Sequence, residues 1–173
     1  MRRASSVIVV ATVLGALAPV AAAQAAPPTP RVEKFVMTFH TFGNVDQQTR
    51  VSAVGPVPGA GTETQIDIDT PDGEVVAFTW HLPGGDVQLE AVEDYAITFD
   101  LQACTAKASG TGTWAITGGT GDYAGAAGSG TFIDQGSFTG ARDHGVCEGP
   151  GSNTPPRTSV FTLTGTGTAT LGN

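Results

Sequence analysis

Three short stretches of this 173-residue chain carry residue types and spacings that do chemistry. Gly119-Thr120-Gly121-Asp122-Tyr123-Ala124 satisfies G-x-G-x-x-A, a form of the fingerprint in which a helix start offers free N–H groups to a pyrophosphate. The helix that this chemistry needs is not encoded. Gly125, Gly128, Ser129 and Gly130 follow, and each glycine weakens a helix by about 1 kcal/mol relative to alanine. No Gly-Lys-Ser/Thr follows either, so the stretch is not a phosphate loop. Glycines at this spacing suit a turn that leaves one strand and bulges into the next. Tyr123, set among them, would anchor that turn by packing or through its hydroxyl.

His144 and Cys147, spaced H-x-x-C, make three ligands with Cys104, one short of a closed zinc site, and no metal is expected. Cys104 and Cys147 are the only cysteines. In an exported chain such a pair is most simply a disulfide, worth about 3–4 kcal/mol by loop-closure arithmetic. Asp67 to Gly73 has the acidity of a calcium loop but the wrong register, with Pro71 fifth and Asp72 sixth. A Pro-Asp-Gly hairpin turn explains it better. His40, His81, Glu90 and Asp100 are the candidate polar groups on strands. Phe39, Trp80 and Phe99 claim the apolar faces beside them, so His40, His81 and Asp100 are expected to turn outward, with His144 exposed in a loop. With three histidines and no nucleophile motif, no Ser–His–Asp arrangement is legible.

The elements that carry these residues read as strands. Phe35, Met37 and Phe39 alternate with Val36, Thr38 and His40 over 32–42, the period of two of a strand. Further strands are expected over 48–54, 64–70, 74–82, 87–92, 94–103, 113–117, 131–138 and 158–171. Ile66 and Ile68 share one face; Val76, Phe78, Trp80 and Leu82 another; Tyr95, Ile97, Phe99 and Leu101 a third. The last strand sets Phe161, Leu163, Gly165, Gly167 and Ala169 on one side, and small residues there suit a crowded barrel interior or a close sheet-to-sheet contact. Many short strands joined by tight turns argue for an all-β barrel or sandwich.

Arg2-Arg3, an apolar run from Val7 to Val20 and Ala21-Ala22-Ala23-Gln24-Ala25 have the pattern of a secretory signal, with cleavage expected after Ala25. A Pro-rich arm over 26–31 and a single domain over 32–173 would follow. Eight Lys+Arg stand against sixteen Asp+Glu; loss of Arg2 and Arg3 with the signal takes the net charge from −8 to −10. That charge repels phosphate backbones and anionic lipid, so neither nucleic acid nor an anionic membrane surface is expected as a partner.

Residues 115–128, Ala-Ile-Thr-Gly-Gly-Thr-Gly-Asp-Tyr-Ala-Gly-Ala-Ala-Gly, resemble the hallmark of the allene oxide cyclase and dirigent-like barrels, approximately I-x-G-G-[ST]-G-x-[FY]-x-x-A/G-x-G. Gly118, Gly119, Gly121, Tyr123, Gly125 and Gly128 carry the match. The resemblance implies an eight-stranded antiparallel barrel with an apolar cavity, often trimeric. It transfers no catalytic residue, since strand one reads Val-Glu-Lys-Phe-Val-Met-Thr-Phe-His without the family's acidic cluster, and the dirigent pocket residues are not recognisable. Tyr95, Trp80, Trp114 and Phe99 have the size to line a pocket, though such residues more often fill a core. The expected function is a secreted barrel holding an apolar small molecule, with no cofactor. A cyclase or isomerase that folds an unsaturated substrate, and a purely structural barrel, are the alternatives.

Overall fold

The computed structural model describes residues 28–42, 48–70, 73–148, 154 and 156–172. Eight strands, β1 (Arg31–Phe42), β2 (Gln48–Val54), β3 (Gly59–Thr70), β4 (Gly73–Leu82), β5 (Gly85–Asp100), β6 (Thr105–Gly119), β7 (Ala127–Thr139) and, after a small hairpin, β10 (Thr158–Thr170), close into an antiparallel barrel. The hairpin is β8 (Arg142–Asp143) with β9 (Val146–Cys147). Each barrel strand pairs with its neighbours along the chain and β10 returns to β1, so no barrel edge is left open. The expected all-β, eight-stranded antiparallel barrel therefore forms. The expected signal segment lies outside the described residues; Pro28, Thr29 and Pro30 are exposed and irregular, and β1 begins at Arg31.

Several strands are longer than their sequence pattern suggests. The expected pair 87–92 and 94–103 is one strand, β5. No turn residue separates them, and the phase that buries Val87, Leu89 and Ala91 continues through Glu93, Tyr95, Ile97 and Phe99. The strand expected at 113–117 starts at Thr105, that at 131–138 starts at Ala127, and that at 64–70 starts at Gly59. Glycine is a poor strand former, yet here it makes room. A Cβ on Gly165 would overlap the Phe35 ring, one on Gly167 the Trp114 ring, and one on Gly136 the Phe161 ring. Glycines of β7 and β10 thus seat aromatics from other strands, and barrel closure outweighs local propensity.

Only part of the glycine stretch is a turn. Gly118 and Gly119 end β6, Gly128 lies in β7, and a single 3-10 turn at Gly121–Tyr123 joins them. Gly121 (φ 57°) and Gly125 (φ 71°) hold the positive φ that the turn requires. Its backbone is tied to the neighbouring β4–β5 turn, Thr120 N donating to Asp86 O and Asp122 N to Gly84 O, each at 2.9 Å. Tyr123 anchors it in both ways foreseen: its ring is buried, and its hydroxyl donates to Pro58 O at 2.9 Å. Tyr123→Phe keeps the ring and removes this one bond. It is expected to lower stability by about 1 kcal/mol, read as a lower urea midpoint with an unchanged m-value; an unmoved midpoint shows the bond to be idle.

At the opposite end of the barrel, Cys104 after β5 is joined to Cys147 in the small hairpin (S–S 2.06 Å, Cα–Cα 5.4 Å), as the cysteine count led one to expect. The acidic turn after β3 closes a hairpin, with Thr70 paired to Gly73; Pro71 and Asp72 lie outside the described residues. No helix is long and apolar enough to cross a membrane among the described residues.

Candidate functional site

An eight-stranded barrel leaves an interior about as wide as its own side chains, and the strand register decides what fills each level. The half nearest the Tyr123 turn is full. Phe35 meets Trp80 edge-on at 4.7 Å and Trp114 at 5.4 Å between ring centroids. Trp80 Nε1 donates to Met37 Sδ at 3.0 Å and Trp114 Nε1 to Thr131 O at 3.2 Å. Val87, Leu89 and Phe132 complete the layer, and Val57 and Tyr123 join the same buried cluster. The Trp80 and Trp114 rings are packed within this layer.

The other half is different. Val92 is the last residue of β5 paired with β4, so Glu93 to Asp100 pairs with β6 alone. The inward phase of β5 therefore emerges at the barrel mouth, where Tyr95, Ile97 and Phe99 are 40%, 43% and 38% exposed. Tyr95 stacks on Phe161 (6.5 Å, 29°) and Phe99 meets Phe138 edge-on at 5.7 Å.

Carboxyl groups stand just inside this mouth. Tyr95, Gly110 and Asp134 lie side by side on β5, β6 and β7. Gly110 has no side chain, and the space that its Cβ would take is held by the Glu93 carboxyl. Asp134 is 7% exposed and its Oδ1 accepts no hydrogen bond. Burial pushes its pKa up to about 6, partly offset by the Gln135 backbone N–H. The Tyr95 hydroxyl is pushed up to about 12, first by burial and then by the charges of Asp134 and Glu93. On β3, Glu63 is 5% exposed between Thr49, whose hydroxyl donates to its backbone carbonyl at 2.5 Å, and Trp80 across the β3–β4 ladder. Neither Glu63 carboxyl oxygen has a hydrogen-bond partner, and burial raises its pKa to about 7. At the plugged end Glu33 is fully buried, its Oε2 accepting from Val57 N at 2.9 Å, and burial raises its pKa as well.

Among the described residues no basic side chain pairs with Asp134, Glu63 or Glu33. Beyond residue 3 the chain has six Lys and Arg, and all six, Arg31, Lys34, Arg50, Lys107, Arg142 and Arg157, are exposed.

No family model, curated protein or solved structure matches the chain. The site is therefore read from its own residues.

The four aromatic residues singled out from the sequence fall into two pairs. Trp80 and Trp114 are buried in the filled half, whereas Tyr95 and Phe99 form the mouth. The strand-borne polar candidates do not converge. His81, Glu90 and Asp100 are exposed on the outer phase, and His144 is exposed in the β8–β9 turn, 3.6 Å from Asp143. Asp100 accepts from Ala103 N at 2.9 Å and so shapes the turn after β5. Glu90 borders a groove of about 480 Å³ on the outer surface of β5, β6 and β7, with Val92, Thr113 and Thr131.

One arrangement not legible in the sequence does form: Thr64 Oγ1 lies 3.2 Å from His81 Nε2, and His81 Nδ1 lies 2.9 Å from Asp86 Oδ1. The hydroxyl–imidazole–carboxylate order matches a hydrolytic triad. They lie on the outer face of β3, β4 and β5, Thr64 and His81 exposed and Asp86 half-buried. Such catalysis needs a water-excluded site with donors aimed at an oxyanion, and an open strand surface does not supply one.

Sequence reasoning missed Glu33, Glu63, Glu93 and Asp134. Three of them had a signal. Glu33 shares the phase of Phe35 and Met37, Glu93 that of Tyr95 and Phe99, and Asp134 that of Phe132. A carboxylate in register with an apolar face is a buried charge in waiting.

Proposed function

We propose that this protein is an exported barrel that binds a small molecule with an apolar body at the mouth formed by Tyr95, Ile97 and Phe99. The observation that carries the reading is the exposure of the inward face of β5 beyond Val92. Those three side chains continue the core phase of the strand, yet each is about two-fifths exposed. An apolar face with a few convergent polar groups is the usual composition of a ligand site. Export rests on the signal-like first 25 residues and on the Cys104–Cys147 bridge, a bond that persists in oxidising compartments. Kinship with the allene oxide cyclase and dirigent-like barrels, and the trimer it would bring, rest on the resemblance of residues 115–128 and on the eight-stranded closure.

The test is a titration with Nile red, a neutral apolar dye, followed by fluorescence. Saturable binding is expected, weakened at least tenfold in Phe99→Glu, with circular dichroism confirming that the variant folds. Absence of saturable binding, or equal affinity in the folded variant, overturns the reading.

The same mouth supports a second reading, a cyclase or isomerase. Asp134, with a pKa of about 6, can hold or release a proton near neutral pH beside an apolar substrate. Turnover of an unsaturated substrate that Asp134→Asn abolishes without weakening dye binding separates catalysis from carriage.

A further inference from the structure

We propose that the ligand of the mouth is a cationic amphiphile, an apolar chain or ring system bearing one basic nitrogen, whose charge is received by Asp134 with Glu93 and the Tyr95 hydroxyl. The inference rests on the mouth-binding reading above and adds the class of ligand.

Three independent features lead to it. The first is convergence. Tyr95, Gly110 and Asp134 share one level across three strands, and the bare Gly110 lets the Glu93 carboxyl lie between the other two. Two acids and a phenol thus lie together at one level of the barrel, next to the aromatic rim. The second is the state of Asp134. It is more than nine-tenths buried, and its Oδ1 accepts no hydrogen bond. A buried carboxylate oxygen left in this way costs stability unless something supplies a charge or a donor. The third is that Asp134 has no ion-pair partner among the described residues. Every Lys and Arg beyond residue 3 is exposed, and none is paired with it. A ligand ammonium meets all three conditions. Its N–H groups complete the acceptors of Asp134, its charge offsets the two carboxylates, and its apolar body lies against Ile97, Phe99, Phe138 and Phe161. An anionic amphiphile, such as a fatty acid, would set a third negative group against the first two.

The experiment compares dodecylamine, dodecan-1-ol and dodecanoate below their critical micelle concentrations by isothermal titration calorimetry on the full mature chain. The three share one apolar tail and differ in head group. The amine is expected to bind at least tenfold tighter than the alcohol, and the carboxylate weakest. Asp134→Asn is expected to bring the amine to within about twofold of the alcohol. The net negative charge of the protein attracts any amine at long range, and Asp94→Asn controls for this: Asp94 neighbours Tyr95 but is on the exposed outer phase, so the same loss of charge there should leave the preference intact. Glu93→Gln serves as second variant if Asp134→Asn does not fold. Alcohol binding equal to or tighter than amine binding in the unaltered protein overturns the proposal and leaves the mouth-binding reading standing. A preference that survives Asp134→Asn, or one that Asp94→Asn removes equally, also overturns it. Failure of all three probes to bind overturns both readings together.

Discussion

Trp80→Ala is expected to cost about 3–5 kcal/mol of unfolding free energy, the range for emptying a large buried aromatic site. Trp80 is 1% exposed, meets the Phe35 ring edge-on and donates its indole N–H to Met37 Sδ. Its loss removes the transfer free energy of the ring and leaves a cavity that the barrel wall, fixed by eight closed ladders, cannot collapse to fill. Against a total stability of about 5–15 kcal/mol for an ordinary domain, that is a large fraction. The informative comparison is Phe99→Ala. Phe99 is of similar chemistry but 38% exposed at the mouth, and its truncation should cost about 1 kcal/mol, since much of the ring is already in water. Urea unfolding of the two variants beside the parent measures both. Equal costs would show that the interior is not divided into a filled half and an open half, and the mouth would lose its physical basis.

That division marks how far the sequence could be read. Strand phases were legible wherever large apolar residues alternate with polar ones: β1, β4, β5 and β10 present the faces that their sequences announce. The turn after β6, the Pro-Asp-Gly hairpin and the cysteine pair were legible because glycine, proline and cysteine each act through a local covalent property. β3 was not. Ile66, the apolar residue, is 66% exposed, while Glu63 on the opposite phase is buried. The register of β3 is set by the turn through Pro56 and Val57 and by pairing to β2 and β4, and a closed barrel leaves a strand no freedom to slip by one residue toward its apolar side. The carboxyl group at Gly110 needed more still. It forms only once β5, β6 and β7 are aligned, with a glycine in the middle strand at the one level where a side chain would have kept Glu93 away. The Thr64–His81–Asp86 chain likewise depends on the alignment of three strands. Composition and periodicity describe one strand at a time; sites on a barrel wall are made across strands.

Glu63 offers the sharpest measure of what such a buried group costs. Its pKa rises from 4.5 to about 7 because burial penalises the charged form, with no partner to offset the penalty. A folded-state pKa above the unfolded one means that the native protein binds the proton more tightly. The stability linked to it is fully present below about pH 4.5 and is lost as pH rises through about 7. At 1.36 kcal/mol per pKa unit the swing is about 3 kcal/mol. Glu63→Gln removes the titration and keeps the shape. The parent and the variant should therefore differ by a constant at pH 4, and by pH 8 the variant should gain about 3 kcal/mol on the parent, read from urea midpoints at pH 4, 6 and 8. Asp134→Asn should show a swing of similar size, about 3 kcal/mol, in a lower window, between about 4 and 6. Parallel curves for parent and Glu63→Gln would mean that the carboxyl is solvated in solution, and the same doubt would then reach Asp134. Divergent curves make each carboxyl a standing cost at neutral pH, and a cation received at Asp134 would lower that cost only at the mouth. An alkylamine should then raise the thermal midpoint of the parent more at pH 8 than at pH 4. It should do so equally in Glu63→Gln and hardly at all in Asp134→Asn, which separates a carboxyl that merely destabilises the barrel from one that receives its ligand.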